Sequence, residues 1–129
     1  MNNSQLLNKS KKILVADDDQ AILESTTLIL EECGYRVEST IDGETIFKMK
    51  KDLPDMLLID IWMSGQDGRE ICKFFKNKKQ TKHIPIIMIS ASSDIEESAR
   101  KAGSDDFITK PYDMEDLIKM VEKHIGKAN

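Results

Sequence analysis

The sequence has few cysteines, few aromatic residues and no long apolar run, and each scarcity excludes a class of protein. Two cysteines, Cys33 and Cys72, with no CxxC motif and no Cys/His cluster predict neither a disulfide framework nor a zinc site. No apolar run exceeds five residues, whereas a membrane-spanning helix needs about 20. The N-terminal residues include no apolar segment of signal-peptide length. We therefore predict a protein of the reducing cytoplasm with no membrane partner.

Size and charge narrow the class further. A chain of 129 residues with 40% hydrophobic and 33% charged residues is typical of one globular domain. Residues 1–10 are polar and aperiodic, so we predict a flexible N-terminal extension followed by a domain at 11–127. The formal net charge of −4 argues against direct binding of nucleic acid. A lysine run between 73 and 82 is typical of a solvated helix face.

Short apolar runs alternate with amphipathic segments along the whole domain. The runs predict strands at 12–16, 36–39, 56–59, 86–90 and 107–109. Helix starts are predicted at Asp19, Asp42 and Asp113, which can act as N-caps, and at two overlapping capping-box patterns that begin at Ser93 and Asp94. Five βα repeats predict an α/β protein, a doubly wound parallel sheet with helices on both faces.

Polar side chains stand where four of these strands end. Asp17 and Asp18 follow the first strand, Asp60 the third, Ser90 ends the fourth, and Lys110 follows the fifth. Each alone has a simpler interpretation as a helix cap, a loop hydroxyl or a solvated lysine. In a parallel sheet, however, all of them reach the same edge, where ligands of open α/β sheets bind.

The types of these residues predict phosphoryl chemistry. Three clustered carboxylates repel one another by about 4 kcal/mol per pair at 4 Å, if the effective dielectric constant is near 20. Such a cluster favours a divalent cation, and a small set of oxygen ligands favours Mg²⁺. A metal-neutralised carboxylate such as Asp60 can attack a phosphoryl group and form an aspartyl phosphate. The ammonium of Lys110 and the hydroxyl of Ser90 would then contact the phosphoryl oxygens.

Four segments in order make the chain resemble the receiver domain of two-component response regulators, the chemotaxis-type signalling fold. They are ILVADDD, LLIDIWMSGQDG, IIMISAS and AGSDDFITKP. The resemblance spans residues 12–125 and implies a flavodoxin-like (βα)5 fold with strand order 2-1-3-4-5. It implies that Asp60 is the phosphoacceptor and that Mg²⁺ is bound by Asp17, Asp18, Asp60 and the backbone carbonyl of Trp62.

The resemblance also assigns a switch. It implies that Lys110 is the lysine of the phosphorylation site, that the Lys110–Pro111 bond is cis, and that Ser90 and Phe107 are the switch hydroxyl and aromatic. We expect Ser90 and Phe107 to occupy neighbouring positions at the ends of the fourth and fifth strands. The implied response is a change in the surface formed by helix four, strand five and helix five.

The sequence departs from the family pattern at four positions. Ser64 stands where the family has proline, and Asp19 extends the usual acidic pair and is interpreted as a helix cap. Trp62 and Ser92 occupy the positions that tune phosphoryl lifetime in the family, so the lifetime is not predicted. The indole of Trp62 either covers the mouth of the site or packs loosely on the loop, and we leave both open.

Other functions are weighed on the same residues. A haloacid-dehalogenase-like Asp phosphatase needs a second Asp two residues after the first, where this chain has Trp62. A histidine phosphotransfer module does not fit, because His83 is predicted in a loop and His124 on the last helix. A pseudo-receiver that binds partners without phosphorylation stays an alternative. We predict a signalling domain whose only catalysis is its own phosphoryl transfer and autodephosphorylation.

Partners follow from this function. The expected phosphodonor is a sensor histidine kinase or a histidine phosphotransfer protein. No effector domain follows Asn129, so we expect the output to be a downstream protein, a phosphorelay step or a domain outside this chain. The domain is predicted to be a monomer or a phosphorylation-dependent homodimer through helix four, strand five and helix five.

Overall fold

The structure, a computed structural model, describes residues 10–63 and 65–128. The predicted extension at 1–10 lies outside these residues except for Ser10, whose carbonyl accepts a hydrogen bond from Arg36 Nε at 3.0 Å. No described helix combines the length and the apolar character needed to cross a bilayer.

Five parallel strands form the central sheet, as predicted. Their order is β2-β1-β3-β4-β5, with every neighbouring pair parallel. The strands are β1 (Lys12–Ala16), β2 (Arg36–Thr40), β3 (Met56–Asp60), β4 (Ile86–Ser90) and β5 (Asp106–Thr109). The helices are α1 (Gln20–Glu32), α2 (Gly43–Phe47), α3 (Gly68–Lys76), α4 (Glu96–Lys101) and α5 (Met114–Ile125). The predicted α/β class and strand order are confirmed.

The sheet separates two hydrophobic cores because alternate strand residues point to opposite faces. On β3, Leu57 and Ile59 pack with α2, α3 and α4, whereas Met56 and Leu58 pack with α1 and α5. All residues of β1, β3 and β4 are buried. The continuous apolar runs in the sequence therefore reflect central strands that are covered on both faces.

The helix starts agree with the sequence only in part. The carboxylates of Asp19 and Asp42 accept N–H groups of their helices, at 3.1 Å from Ala21 N and 2.9 Å from Thr45 N, so these two caps are confirmed. Asp113 occupies the N-cap of α5, but its side chain makes no capping hydrogen bond.

The capping-box prediction for α4 is wrong. A 3-10 turn at Ser93–Ile95 precedes the helix, and Ile95 is its N-cap, without a side-chain capping bond. The Ser92 hydroxyl accepts the N–H of Asp94 at 3.2 Å, which offers the backbone a local turn in place of an immediate helix start. The first turn of α4 is thus held by contacts other than a cap.

Candidate functional site

Three carboxylates converge at the carboxyl edge of the sheet, as the strand ends predict. Asp17 directly follows β1, Asp18 is next, and Asp60 is the last residue of β3. Oxygens of the three groups all lie within 4.8 Å of one another. Asp17 is fully buried and Asp60 is 7% exposed, while Asp18 faces solvent. The cluster therefore reaches solvent at Asp18.

Lys110 partly neutralises this cluster. Its Nζ lies 2.9 Å from Asp17 Oδ2 and 2.9 Å from Asp60 Oδ2. The lysine is anchored by its backbone N–H, which donates to the Ser90 carbonyl at 2.7 Å, and the Lys110–Pro111 peptide is cis as predicted. Three carboxylates against one ammonium leave a formal charge of −2 when all are ionised.

The electrostatics show that the ionised cluster is under-compensated. Burial raises the pKa of Asp60 above its ordinary value, and the charge of Asp17 adds to this, although the hydrogen bond from Lys110 opposes it. Burial disfavours the charged form of Lys110, but its ion pair with Asp17 and its hydrogen bond to Asp60 raise the pKa of the ammonium overall. Ionising Asp60 in the folded protein therefore costs free energy, and additional positive charge near its carboxylate would reduce that cost.

These residues fit a divalent cation. The buried Asp17 Oδ2 has the ion pair with Lys110 but no hydrogen bond of good geometry. Asp17, Asp18 and Asp60 offer hard oxygen ligands, the type that Mg²⁺ prefers. The Trp62 N–H donates to Asp60 Oδ1 at 3.2 Å, so the backbone at Trp62 passes beside the cluster. The ligand role of the Trp62 carbonyl stays a prediction.

A close backbone contact holds the loop after Asp60 in place. The N–H of Gly68, the first residue of α3, donates to the Ile61 carbonyl at 2.6 Å. A Cβ at Gly68 would come within 2.6 Å of the Asp60 carbonyl oxygen and 3.0 Å of Ile61 Cα. Glycine is therefore required where α3 returns to the end of β3.

Ser90 lies at the same edge of the sheet, whereas Phe107 lies deeper along its strand. Ser90 is buried at the end of β4, and its Oγ accepts the Ser92 N–H at 3.1 Å. In the β4–β5 register, Ser90 pairs with Thr109, whereas Phe107 pairs with Met88. The expectation that Ser90 and Phe107 occupy neighbouring positions at the strand ends is wrong, because the register places Phe107 two residues before Thr109, the partner of Ser90. Its half-buried ring packs against the core beneath α4.

Trp62 is 57% exposed, and the cover of the site mouth by its indole stays a prediction. The Arg69 guanidinium carbon lies 5.1 Å from the centre of its ring. Sequence reasoning missed Arg69; its position two residues after the α3 cap Asp67 was the available signal. The contact between Tyr112 and Thr26 was not predicted either. Their hydroxyls lie 3.0 Å apart and join the segment after Lys110 to α1. A threonine on the buried face of α1 could have indicated it.

Comparison with known proteins agrees with this geometry. The response regulator receiver domain family matches residues 13–122. The chain is 32% identical over 117 residues to Protein PilG of Pseudomonas aeruginosa, covering 88% of this chain and 87% of that protein. It is 32% identical over 121 residues to the DNA-binding dual master transcriptional regulator RpaA of Synechocystis sp., covering 92% of this chain but only 50% of RpaA.

The fold agrees as well. The chemotaxis protein CheY4 of Vibrio cholerae superposes with a TM-score of 0.81 at 27% identity, covering 89% of this chain and 98% of that one. The predicted flavodoxin-like arrangement is therefore confirmed. Taken with its sequence relatives and its carboxylate edge, the chain belongs to the response regulator receiver domain family of two-component signalling systems.

Proposed function

We propose that this domain accepts a phosphoryl group on Asp60 from a sensor histidine kinase or a histidine phosphotransfer protein. The observation that supports it most is the placement of Asp60, 2.9 Å from the Lys110 ammonium and within 4.8 Å of the Asp17 and Asp18 carboxylates. A structural aspartate does not need this environment, which raises its pKa and leaves negative charge uncompensated.

In the proposed reaction, a carboxylate oxygen of Asp60 attacks the phosphorus of a phosphohistidine. A P–O bond forms and the P–N bond breaks, which returns the donor imidazole and leaves an acyl phosphate. The Lys110 ammonium and the Ser90 hydroxyl contact phosphoryl oxygens, and water later attacks the phosphorus to release inorganic phosphate. Mg²⁺, held by Asp17, Asp18, Asp60 and the Trp62 carbonyl, would neutralise the carboxylates and the phosphoryl oxygens when bound.

The direct test uses a small phosphodonor, which replaces the unidentified kinase. We expect acetyl phosphate with Mg²⁺ to add one phosphoryl group, and peptide mass spectrometry after borohydride trapping to locate it at Asp60. A protein that binds Mg²⁺ but takes up no phosphate would instead be a pseudo-receiver. Phosphate located at Ser90 or His83 would contradict the assignment.

Mg²⁺ is expected to stabilise the fold. With a dissociation constant near 1 mM, roughly 10 mM Mg²⁺ adds about 1.4 kcal/mol to the free energy of unfolding. Asp18→Ala should lose this increment because it removes the exposed carboxylate of the cluster. Urea unfolding with and without Mg²⁺ measures it, and Asp94→Ala, an exposed residue outside the cluster, is the matched control. Equal Mg²⁺ responses of the parent and the Asp18 variant would contradict the proposed site.

We further propose that phosphorylation changes the surface formed by α4, β5 and α5 and thereby controls a partner or a homodimer. Ser90 turns towards the phosphoryl group, and the half-buried Phe107 moves into the space beneath α4. The two states need differ by only a few kcal/mol for phosphate to shift the population. This chain spans only half of RpaA, so the DNA-binding output of RpaA is not assigned to it. The predicted absence of direct nucleic-acid binding stays a prediction.

Phe107→Ala tests this switch. The variant should take up phosphate at nearly the parent rate, since Phe107 pairs with Met88, two residues before the end of β4 at Ser90. The amide NMR shifts of α4 on adding Mg²⁺ and beryllofluoride, a phosphoryl mimic, should shrink. Phe47→Ala, another half-buried phenylalanine on the same core, is the control. Full α4 shifts in the Phe107 variant would contradict the proposed role.

A further inference from the structure

Arg69 is fixed at the start of α3 by a two-point contact. Its Nε and Nη2 donate to Asp67 Oδ1 at 3.0 Å and Asp67 Oδ2 at 2.7 Å. Asp67 is the N-cap of α3 and also accepts the backbone N–H of Arg69 at 2.9 Å. The hydrogen bond from Arg69 lowers the pKa of Asp67, so the pair stays ionised near neutral pH. The guanidinium plane therefore has one orientation relative to α3.

That orientation places the guanidinium against Trp62. The ring centre of Trp62 is 5.1 Å from Arg69 Cζ, within the range of a cation–π contact. Trp62 also pairs with Asp67 across the two-residue hairpin after β3. The N–H of the same Trp62 donates to Asp60 Oδ1 at 3.2 Å. Trp62 therefore contacts the Asp60 carboxylate through its N–H and Arg69 through its ring.

The remaining nitrogen of the Arg69 guanidinium, Nη1, contacts α4. Arg69 Nη1 donates to Ser98 Oγ at 2.9 Å, across 29 residues of sequence. Ser98 Oγ donates its own proton to the Ile95 carbonyl at 3.0 Å, so it receives the Arg69 proton as an acceptor. Ile95 is the N-cap of α4 and has no side-chain cap. Arg69 therefore holds the first turn of a short helix whose start is otherwise weakly defined.

We propose that Arg69 is a positioning residue that couples the loop after Asp60 to α4 through Trp62 and Ser98. The inference rests on the proposed role of Asp60 as phosphoacceptor. A phosphoryl group on Asp60 changes the acceptor of the Trp62 N–H and shifts the indole, and Arg69 transmits this shift to Ser98. This connection reaches α4 from the α3 side, whereas Ser90 and Phe107 act from beneath the helix. The coupling is reciprocal, so a displaced α4 also changes the surroundings of Trp62.

The only tryptophan in the chain makes the coupling measurable. Its indole N–H gives a single NMR cross-peak, which we would follow first with Mg²⁺ and then with Mg²⁺ and beryllofluoride. In the parent, the shift of this cross-peak on adding Mg²⁺ reports the change in the loop after Asp60. Adding beryllofluoride should produce a second shift, to which the movement of α4 contributes. Ser98→Ala should keep the Mg²⁺ shift and lose about half or more of the second shift, because α4 no longer contacts Arg69.

Three further variants separate coupling from local structure. Ser98→Thr keeps the hydroxyl and should restore the second shift. Arg69→Lys keeps the charge but cannot bind Asp67 and Ser98 together, so it should behave like Ser98→Ala. Arg100→Ala, also on α4, removes an exposed ion pair with Glu96 and should match the parent. Phosphate uptake should remain within about twofold of the parent in the Ser98 variants, since Ser98 does not contact the reacting atoms.

The outcomes are distinct. A full second shift in both Ser98→Ala and Arg69→Lys would overturn the coupling while leaving the phosphoacceptor intact. Loss in Arg69→Lys but not in Ser98→Ala would also overturn it, because Arg69 would then serve only the loop. A parent that binds Mg²⁺ but shows no response to beryllofluoride would remove the proposed function and this inference together.

Discussion

Asp60→Asn should abolish phosphate incorporation, the largest functional effect expected of any substitution in this chain. The amide keeps the shape of the side chain and can still accept the Trp62 N–H that now donates to Asp60 Oδ1 at 3.2 Å. It has no anionic oxygen to attack phosphorus, so no acyl phosphate forms. The measurement is phosphate uptake from acetyl phosphate with Mg²⁺, read by intact mass.

The same substitution should not weaken the fold. Lys110 keeps its contact with Asp17 Oδ2, and a buried carboxylate with a raised pKa is removed. Asp55→Asn, at an exposed aspartate before β3, is the control and should take up phosphate as the parent does. Residual uptake by the Asp60 variant at the parent rate would mean that another residue is phosphorylated.

The stability difference between Asp60→Asn and the parent should depend on pH. Because burial and Asp17 raise the pKa of Asp60 in the folded state, the folded protein holds this proton more tightly than the unfolded chain. The stability due to Asp60 is therefore greatest below the ordinary pKa of 3.8 and falls as pH rises through the raised value. Without Mg²⁺, the advantage of the variant over the parent should grow across that window, and taking the difference cancels the carboxylates that do not interact with Asp60.

Much of this molecule could be predicted from sequence because its signals are local or are placed by strand order. Runs such as Met56 to Ile59 identify the central strands, and parallel strands bring their ends to one edge, which placed Asp17 and Asp60 together with Lys110. Such an argument needs only the direction of each strand, and not its register.

The features that escaped prediction depend on register or on competition between local hydrogen bonds. The position of Phe107 opposite Met88 follows from where β5 begins, and the sequence pattern does not define that to within two residues. At the start of α4, the Ser92 hydroxyl accepts the N–H of Asp94 and the N-cap is Ile95, whereas the sequence pattern favoured Ser93 or Asp94. The contact between Arg69 and Ser98 joins residues that no periodicity relates.

Lys110→Met should give the largest loss of stability among the site residues. Methionine keeps an apolar stem of similar length but leaves the buried Asp17 and the nearly buried Asp60 without their common cation. Removing one partner of a buried ion pair costs about 3 kcal/mol or more. Urea unfolding without Mg²⁺ measures the loss, and Mg²⁺ should recover part of it by supplying positive charge to the same carboxylates.

A matched surface pair and a double variant decide whether the loss comes from uncompensated charge. Lys123 Nζ lies 3.3 Å from an Asp106 oxygen, but its side chain is 70% exposed, so Lys123→Met should cost less than about 1 kcal/mol. Adding Asp60→Asn to Lys110→Met removes one of the two carboxylates left without a cation. It should raise the stability by more than Asp60→Asn does in the parent, and the excess measures the coupling between the two residues. If Lys110→Met costs no more than Lys123→Met, or if Asp60→Asn stabilises the Lys110→Met background no more than it stabilises the parent, then Lys110 does not neutralise this site in the folded protein.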